Sequence, residues 1–284
     1  MTPERRAFIV WLTASVVILG AFLFFVAIGF PGAKDSCVDS KPDNTCFCEK
    51  FVEAEIGTPG VRQPVNTWLN LYALGTSFIV AAFVYMSRKE YGSSGAPNVI
   101  SSTSLIADLY IFAVLFLGLG SMWFHASLTK WGGIFDGLSM YIYASYLVFY
   151  SIRRFWDSDA FFWIGYGVTV VVFTVLHAIE VPSVILIILL VAAYVAIEVY
   201  TWIRTKKWAQ GKLLTRFLWI AAVVSILLAT LFWALSQTGA PMCDPTSKFQ
   251  PHGWLWHPLA GLMAVLLYFY WRHAEDRSQF GIET

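Results

Sequence analysis

Apolar residues fall along the chain in eight long runs separated by polar connections. The runs cover residues 8–30, 66–87, 102–125, 134–152, 159–178, 182–203, 217–236 and 254–272. Each is close to the roughly 20 mostly apolar residues that a helix needs to cross a bilayer. The connections carry glycine and proline, as in YGSSGAPN (91–98) and SQTGAPMCDPTSKFQP (236–251). Open strands would leave backbone polar groups unpaired in lipid, so the runs are expected to be helices. The pattern predicts an all-α polytopic membrane protein.

Composition agrees. Of 284 residues, 58% are hydrophobic and only 13% charged, and the mean hydropathy is +0.64. A soluble domain carries roughly a quarter charged residues. A net charge of +1 gives no footing for nucleic acid. No charge run, low-complexity tract or short repeat is present. Lysine and arginine are retained on the cytoplasmic side. With the N-terminus inside, thirteen of the 19 basic residues lie in inner segments, at least two in each. An N-in, C-in arrangement is expected. Arg5 and Arg6 before the first run also suit a signal peptide. That run is longer than a signal core of about 7–15 residues and lacks a clear small-x-small cleavage site, so a retained helix is expected. All four cysteines, Cys37, Cys46, Cys48 and Cys243, then fall outside, where disulfides persist. Two bridges in any of three pairings follow; free thiols or a soft-metal site are the alternatives.

Against this apolar background, residues 120–140 read GSMWFHASLTKWGGIFDGLSM. Ser121 and His125 are four apart, hence on one helical face. Lys130 to Gly133 read as a turn, with the next helix starting near Ile134 and Asp136 in its first turn. In FQPHGWLWHPLAGL (249–262), His252 and His257 lie at the same depth. Three histidines with an open fourth position make a catalytic zinc site, which lowers the pKa of bound water to about 7. Asp136 would be placed to move protons, and Ser121 to donate to a developing oxyanion or to the water. Each residue alone has a plainer reading: an interfacial imidazole, or an Asp near a helix N-terminus, beside a belt of Trp123, Trp131, Trp254 and Trp256. Their convergence at one depth favours function.

One spacing resists. His252 and His257 are five apart, so a regular helix would point their rings about 140° apart. A helix starting at Pro258 relieves this, as does a π-bulge. His177, at the outer end of the fifth run, is the spare ligand.

Ser121-x3-His125, Asp136 and the histidine pair before the last run resemble the CREST superfamily of membrane hydrolases, most of all alkaline ceramidase. CFCEKF (46–51) is similar to its Cys-Glu segment. PVNTWLNL (64–71) is similar to its Asn-Thr-x-x-Asn-Leu opening of the first core helix, and GSMWFH (120–125) to its Gly-Ser-x-x-Phe-His. The final pair departs from the family's HxxxH by one residue. The resemblance covers about residues 46–272. It implies a seven-helix core plus one extra N-terminal transmembrane helix. The chain then divides into an N-terminal helix (1–30), an extracytoplasmic cysteine-containing loop (31–65), the hydrolase core (66–272) and a cytoplasmic tail (273–284).

The resemblance further implies Zn2+ on His125, His252 and His257, with Ser121 and Asp136 assisting. The implied reaction is hydrolysis of a membrane lipid, a ceramide-like amide, to fatty acid and sphingoid base. Rivals in the same fold are an ester hydrolase on a glycerolipid or GPI lipid, and a zinc-containing receptor or scaffold of the progestin and adipoQ receptor type. Animal alkaline ceramidases also carry an acidic Ca2+ site. Glu49 matches one of its ligands; Cys46, Phe51 and Gln63 do not, although Asp43, Glu53 or Glu55 would be near enough to compensate. A Ca2+ site of that type is not expected. A disulfide Cys48–Cys243 is implied, leaving Cys37 with Cys46. Asn66 and Asn70 share a face and would contact the lipid head group, support the metal's ligands, or join helices. Asp108, Glu180 and Glu198 match no motif and read as packing or interface residues.

Overall fold

A computed structural model describes residues 2–35, 37–38, 47–51, 57–92, 95–205 and 213–274. Its helices are α1 (Pro3–Ile28), a short α2 (Pro64–Leu69), α3 (Tyr72–Tyr91), α4 (Leu105–Ser127), α5 (Lys130–Trp156), α6 (Asp159–Ala178), α7 (Ser183–Thr205) and α8 (Leu213–Leu235). A π-helical turn (His252–Trp256) then leads into α9 (His257–Ala274). No strand occurs among the described residues, only the isolated bridge Lys34–Thr129. Among the described residues, six stretches are long and apolar enough to cross a membrane, with α2 and α3 counted together as Pro64–Tyr91. The chain is a multi-pass membrane protein. Its lipid-facing positions are large and apolar, among them Val171, Ile188, Ile203 and Leu227, as a hydrocarbon solvent allows.

The helix ends follow local chemistry. Ser104 accepts from the Ile106 N–H and starts α4; Ser158 accepts from Phe161 and starts α6; Pro3 and Pro64 occupy first-turn positions. The α4–α5 connection is shorter than the sequence suggests. Thr129 accepts from the Gly132 N–H, so α5 begins at Lys130, not near Ile134. Lys130 to Gly133 form its first turn, and Asp136 lies one turn deeper than expected. Leu128 closes α4 in a left-handed conformation at φ 50°. The segment after α1 clamps this hairpin: the Asp35 N–H donates to the Leu128 carbonyl, and the Lys130 N–H to Ala33, at 3.0 Å each.

The core packs α4 and α5 together, with α3 and α6 beside them; α7 lies against α5, and α8 against α9. The extra helix α1 rests on α3 and α4. Its Arg6 pairs with buried Asp108 at 2.5 Å. Fully buried Arg88 holds the same carboxylate at 2.8 Å. Trp11 also donates to Ser77 across the α1–α3 contact at 3.0 Å. Asp108 is thus a packing residue that ties α1 to the core.

Candidate active site

Cys48 and Cys243 are joined by a disulfide spanning 195 residues. It brings the loop after α1 to the loop before the π turn. Cys37 is also disulfide-bonded; Cys46, its expected partner, lies outside the described residues, as do Asp43, Glu53 and Glu55. Beside the bridge, Glu49 faces the start of α2. Its Oε1 accepts from the Val65 N–H and its Oε2 from the Asn66 N–H, both at 2.8 Å. These donors are the orphan amides that every helix N-terminus presents. Burial raises the Glu49 pKa, and the two N–H donors oppose that rise.

The histidines converge. His125 comes from the last turn of α4, His252 from the π turn and His257 from the first position of α9, and all three are buried. One ligand nitrogen from each lies within 4.8 Å of the others. The Nε2 atoms of His125 and His252 are 3.2 Å apart. The five-residue spacing is accommodated by the π-bulge, not by a helix beginning at Pro258. The His257 N–H donates to the His252 carbonyl, an i→i+5 closure. Residues five apart then stack as residues four apart do in an α-helix. Gly253 lets this turn press on α2; a Cβ there would lie 2.8 Å from Leu69 and 3.0 Å from the Asn66 amide oxygen.

Each imidazole has neighbours on separate elements. Gln63 Oε1 lies 2.7 Å from His125 Nδ1. Asn70 Nδ2 lies 3.3 Å from His257 Nε2 and also donates to the Asn66 carbonyl. Phe47 stacks on His252, its centroid 4.9 Å away, and meets His125 edge-on at 5.6 Å. Tyr72 stacks on His257 at 6.0 Å. The Asn66 amide and His252 Nδ1 are buried with no hydrogen-bond partner among the described residues.

Ser121 and Asp136 meet across the α4–α5 hairpin, the hydroxyl bonded to the carboxylate. Gly120 permits the approach: a Cβ there would sit 2.5 Å from Ser139 and 2.8 Å from the Phe135 carbonyl. The second Asp136 oxygen, Oδ1, is buried without a partner among the described residues. His177 is not with the three histidines. Its ring packs on Gly137 and beside Tyr141 at 6.0 Å. Asp35 interacts electrostatically with both His177 and Asp136, and its own pKa is raised by burial. Sequence reading had missed Asp35, Phe47 and Tyr72. No spacing pattern marks them, because each reaches the site from a loop or a neighbouring helix.

Three imidazoles from separate elements, buried and facing one another, are a borderline-soft donor set of the kind that suits Zn2+. Fold and site define a multi-pass helical membrane protein whose buried histidine cluster can hold a metal ion. The chain belongs to the Ceramidase family, whose model matches residues 56–280. It is accordingly a ceramidase-like hydrolase, and the family implies a lipid substrate. The match begins after α1, which stands outside it. No curated protein matches the chain.

Proposed function

We infer that the chain is a zinc-dependent amidase of ceramide-like membrane lipids, with His125, His252 and His257 as the metal ligands. The observation that carries this reading is the meeting of three ligand nitrogens within 4.8 Å, achieved by a π turn. When bound, zinc would polarise the amide carbonyl and make water nucleophilic at neutral pH. The chain's own groups supply the rest. Asp136 takes a proton from the attacking water and returns it to the amide nitrogen as the C–N bond breaks. Ser121 donates to the Asp136 carboxylate and keeps it aimed; once Asp136 carries the proton, the hydroxyl can accept from it and turn its own O–H to the oxygen that gains charge. The products are a fatty acid and a free sphingoid amine. Asn70 steadies His257, while Asn66, whose side-chain amide has no hydrogen-bond partner among the described residues, is the residue best placed to meet a polar head group. Glu49 caps α2; with both its oxygens held by backbone N–H groups, we assign it no calcium.

An apolar pocket, partly open to the outside, lies between α4, α5, α7, α8, the π turn and α9. Leu117, Met140, Val191, Ile226, Trp256 and Met263 contribute to its wall. Trp256 belongs to the π turn that carries His252, so the pocket adjoins the histidines and suits an acyl chain. The excess of basic residues at the opposite helix ends and the Cys48–Cys243 bridge support an N-in, C-in chain with the site at the extracytoplasmic face. The division into an added helix (1–30), a loop (31–65), a core (66–272) and a tail (273–284) belongs to the same reading.

The test is incubation of purified protein with a short-chain fluorescent ceramide and the matching ester, with and without a chelator. Amide cleavage abolished by the chelator and restored by zinc is expected. Cleavage of the ester alone would replace this reading with a lipid esterase. Cleavage of neither by zinc-replete protein would replace it with a receptor or scaffold.

A further inference from the structure

Gln63 is fully buried and contacts His125 from a segment 62 residues away in sequence. Both ends of its amide are engaged. Nε2 donates to the Glu49 backbone carbonyl at 2.8 Å. A carbonyl oxygen can only accept, so the NH2 end must face it. Oε1 then faces His125 Nδ1 at 2.7 Å. The flipped amide would set oxygen against oxygen at Glu49, so only one orientation satisfies both partners. An amide oxygen cannot donate, so the proton is on His125 Nδ1 and the lone pair is on Nε2. That Nε2 is the atom 3.2 Å from His252.

We propose that Gln63 is the positioning residue of the metal centre, holding His125 as the Nδ1–H tautomer with Nε2 turned toward the other two histidines. The proposal rests on the reading that these histidines hold zinc. Gln63 is itself held from outside the bundle. Its acceptor belongs to Glu49, whose carboxylate is fixed by Val65 and Asn66 and whose chain neighbour is the bridged Cys48. Support therefore passes from the disulfide through Glu49 and Gln63 to one imidazole. In water a neutral imidazole exchanges its proton between two nitrogens and turns about its side-chain bonds. Removing an outer partner of a ligating histidine typically lowers metal affinity about 10–100-fold.

The experiment measures zinc affinity of the full-length protein by competition with a chromogenic chelator. The proteins compared are the wild type, Gln63→Leu, Gln63→Glu and His257→Ala. Gln63→Leu is expected to bind zinc about 10–100-fold more weakly, with unchanged stoichiometry at saturation. Gln63→Glu keeps an acceptor for Nδ1–H, and its protonated carboxyl can donate to Glu49. It is expected to bind within about threefold of the wild type. Melting of the metal-free proteins in excess chelator should differ by no more than about 3 °C, which separates positioning from damage to the fold. If Gln63→Leu does not fold, Gln63→Met, of similar length and without a strong acceptor, takes its place. Wild-type affinity in the leucine or methionine variant would overturn the proposal. So would equal weakening by leucine and glutamate. Wild-type protein that takes up no zinc would instead remove the metal site itself, with His257→Ala as the reference for that outcome.

Discussion

Two buried polar clusters sit about 20 Å apart along α9, one at His257 and one at Tyr270. The Tyr270 cluster is complementary. Glu198 Oε1 accepts from Arg154 and Ser151, and Oε2 from Tyr270, all at 2.7 Å. Trp202 donates to the Tyr270 oxygen at 3.0 Å, and Arg154 lies over the Tyr270 ring at 5.3 Å. Charge meets charge, and each oxygen of Glu198 has a donor. The histidine cluster is built the other way. Among the described residues its ring nitrogens face one another, the Asn66 side-chain amide and His252 Nδ1 lack partners, and no carboxylate is bonded to the rings. Polar groups are costly to bury unpaired. The first cluster is balanced in charge and holds helices together. The second can hold a cation.

This contrast is open to breakage at either end. The largest effect is expected from His257→Ala, which should bring zinc content and ceramide cleavage to background, read by metal analysis and product assay. Zinc retained at one per chain in that variant would remove the metal assignment. Asp136→Ala should lower kcat about 10²–10⁴-fold while zinc content stays at the wild-type level. Full turnover would show that the carboxylate is not the proton carrier. At the other cluster, Glu198→Ala deprives buried Arg154 of its carboxylate. It should cost about 3–5 kcal/mol of stability, with zinc content unchanged. A loss of zinc in parallel with stability would mean that the two clusters are one unit. The smallest effect is on the wild type itself: zinc at about 100 times its Kd should stabilise the fold by about 2.7 kcal/mol. Glu198→Gln should respond equally and His257→Ala not at all, as read by thermal unfolding.

The all-helical, multi-pass class was legible because a bilayer sets one length for every span and leaves the backbone little other structure. Asp108 and Glu198, which matched no motif, prove to be packing residues, each held by arginine. Ser121 and His125 were legible as a pair because helical periodicity places residues four apart on one face. The start of α5 was misplaced because Gly132 and Gly133 read as a turn. Thr129, caught between α4 and the segment after α1, instead caps the helix before them.

Local sequence chemistry was thus enough for the spans, the bridging cysteines as candidates and the five polar groups of the proposed site. The resemblance implied His252 and the Cys48–Cys243 bridge, and the packing agrees with both; packing alone chose Gln63 as the companion of His125. Periodicity records only which residues share a face of one helix. Which faces meet depends on where glycines such as Gly120 and Gly253 let backbones approach. It also depends on the one-residue excess between His252 and His257 being absorbed as a wider turn, and no short window of sequence holds those long-range contacts.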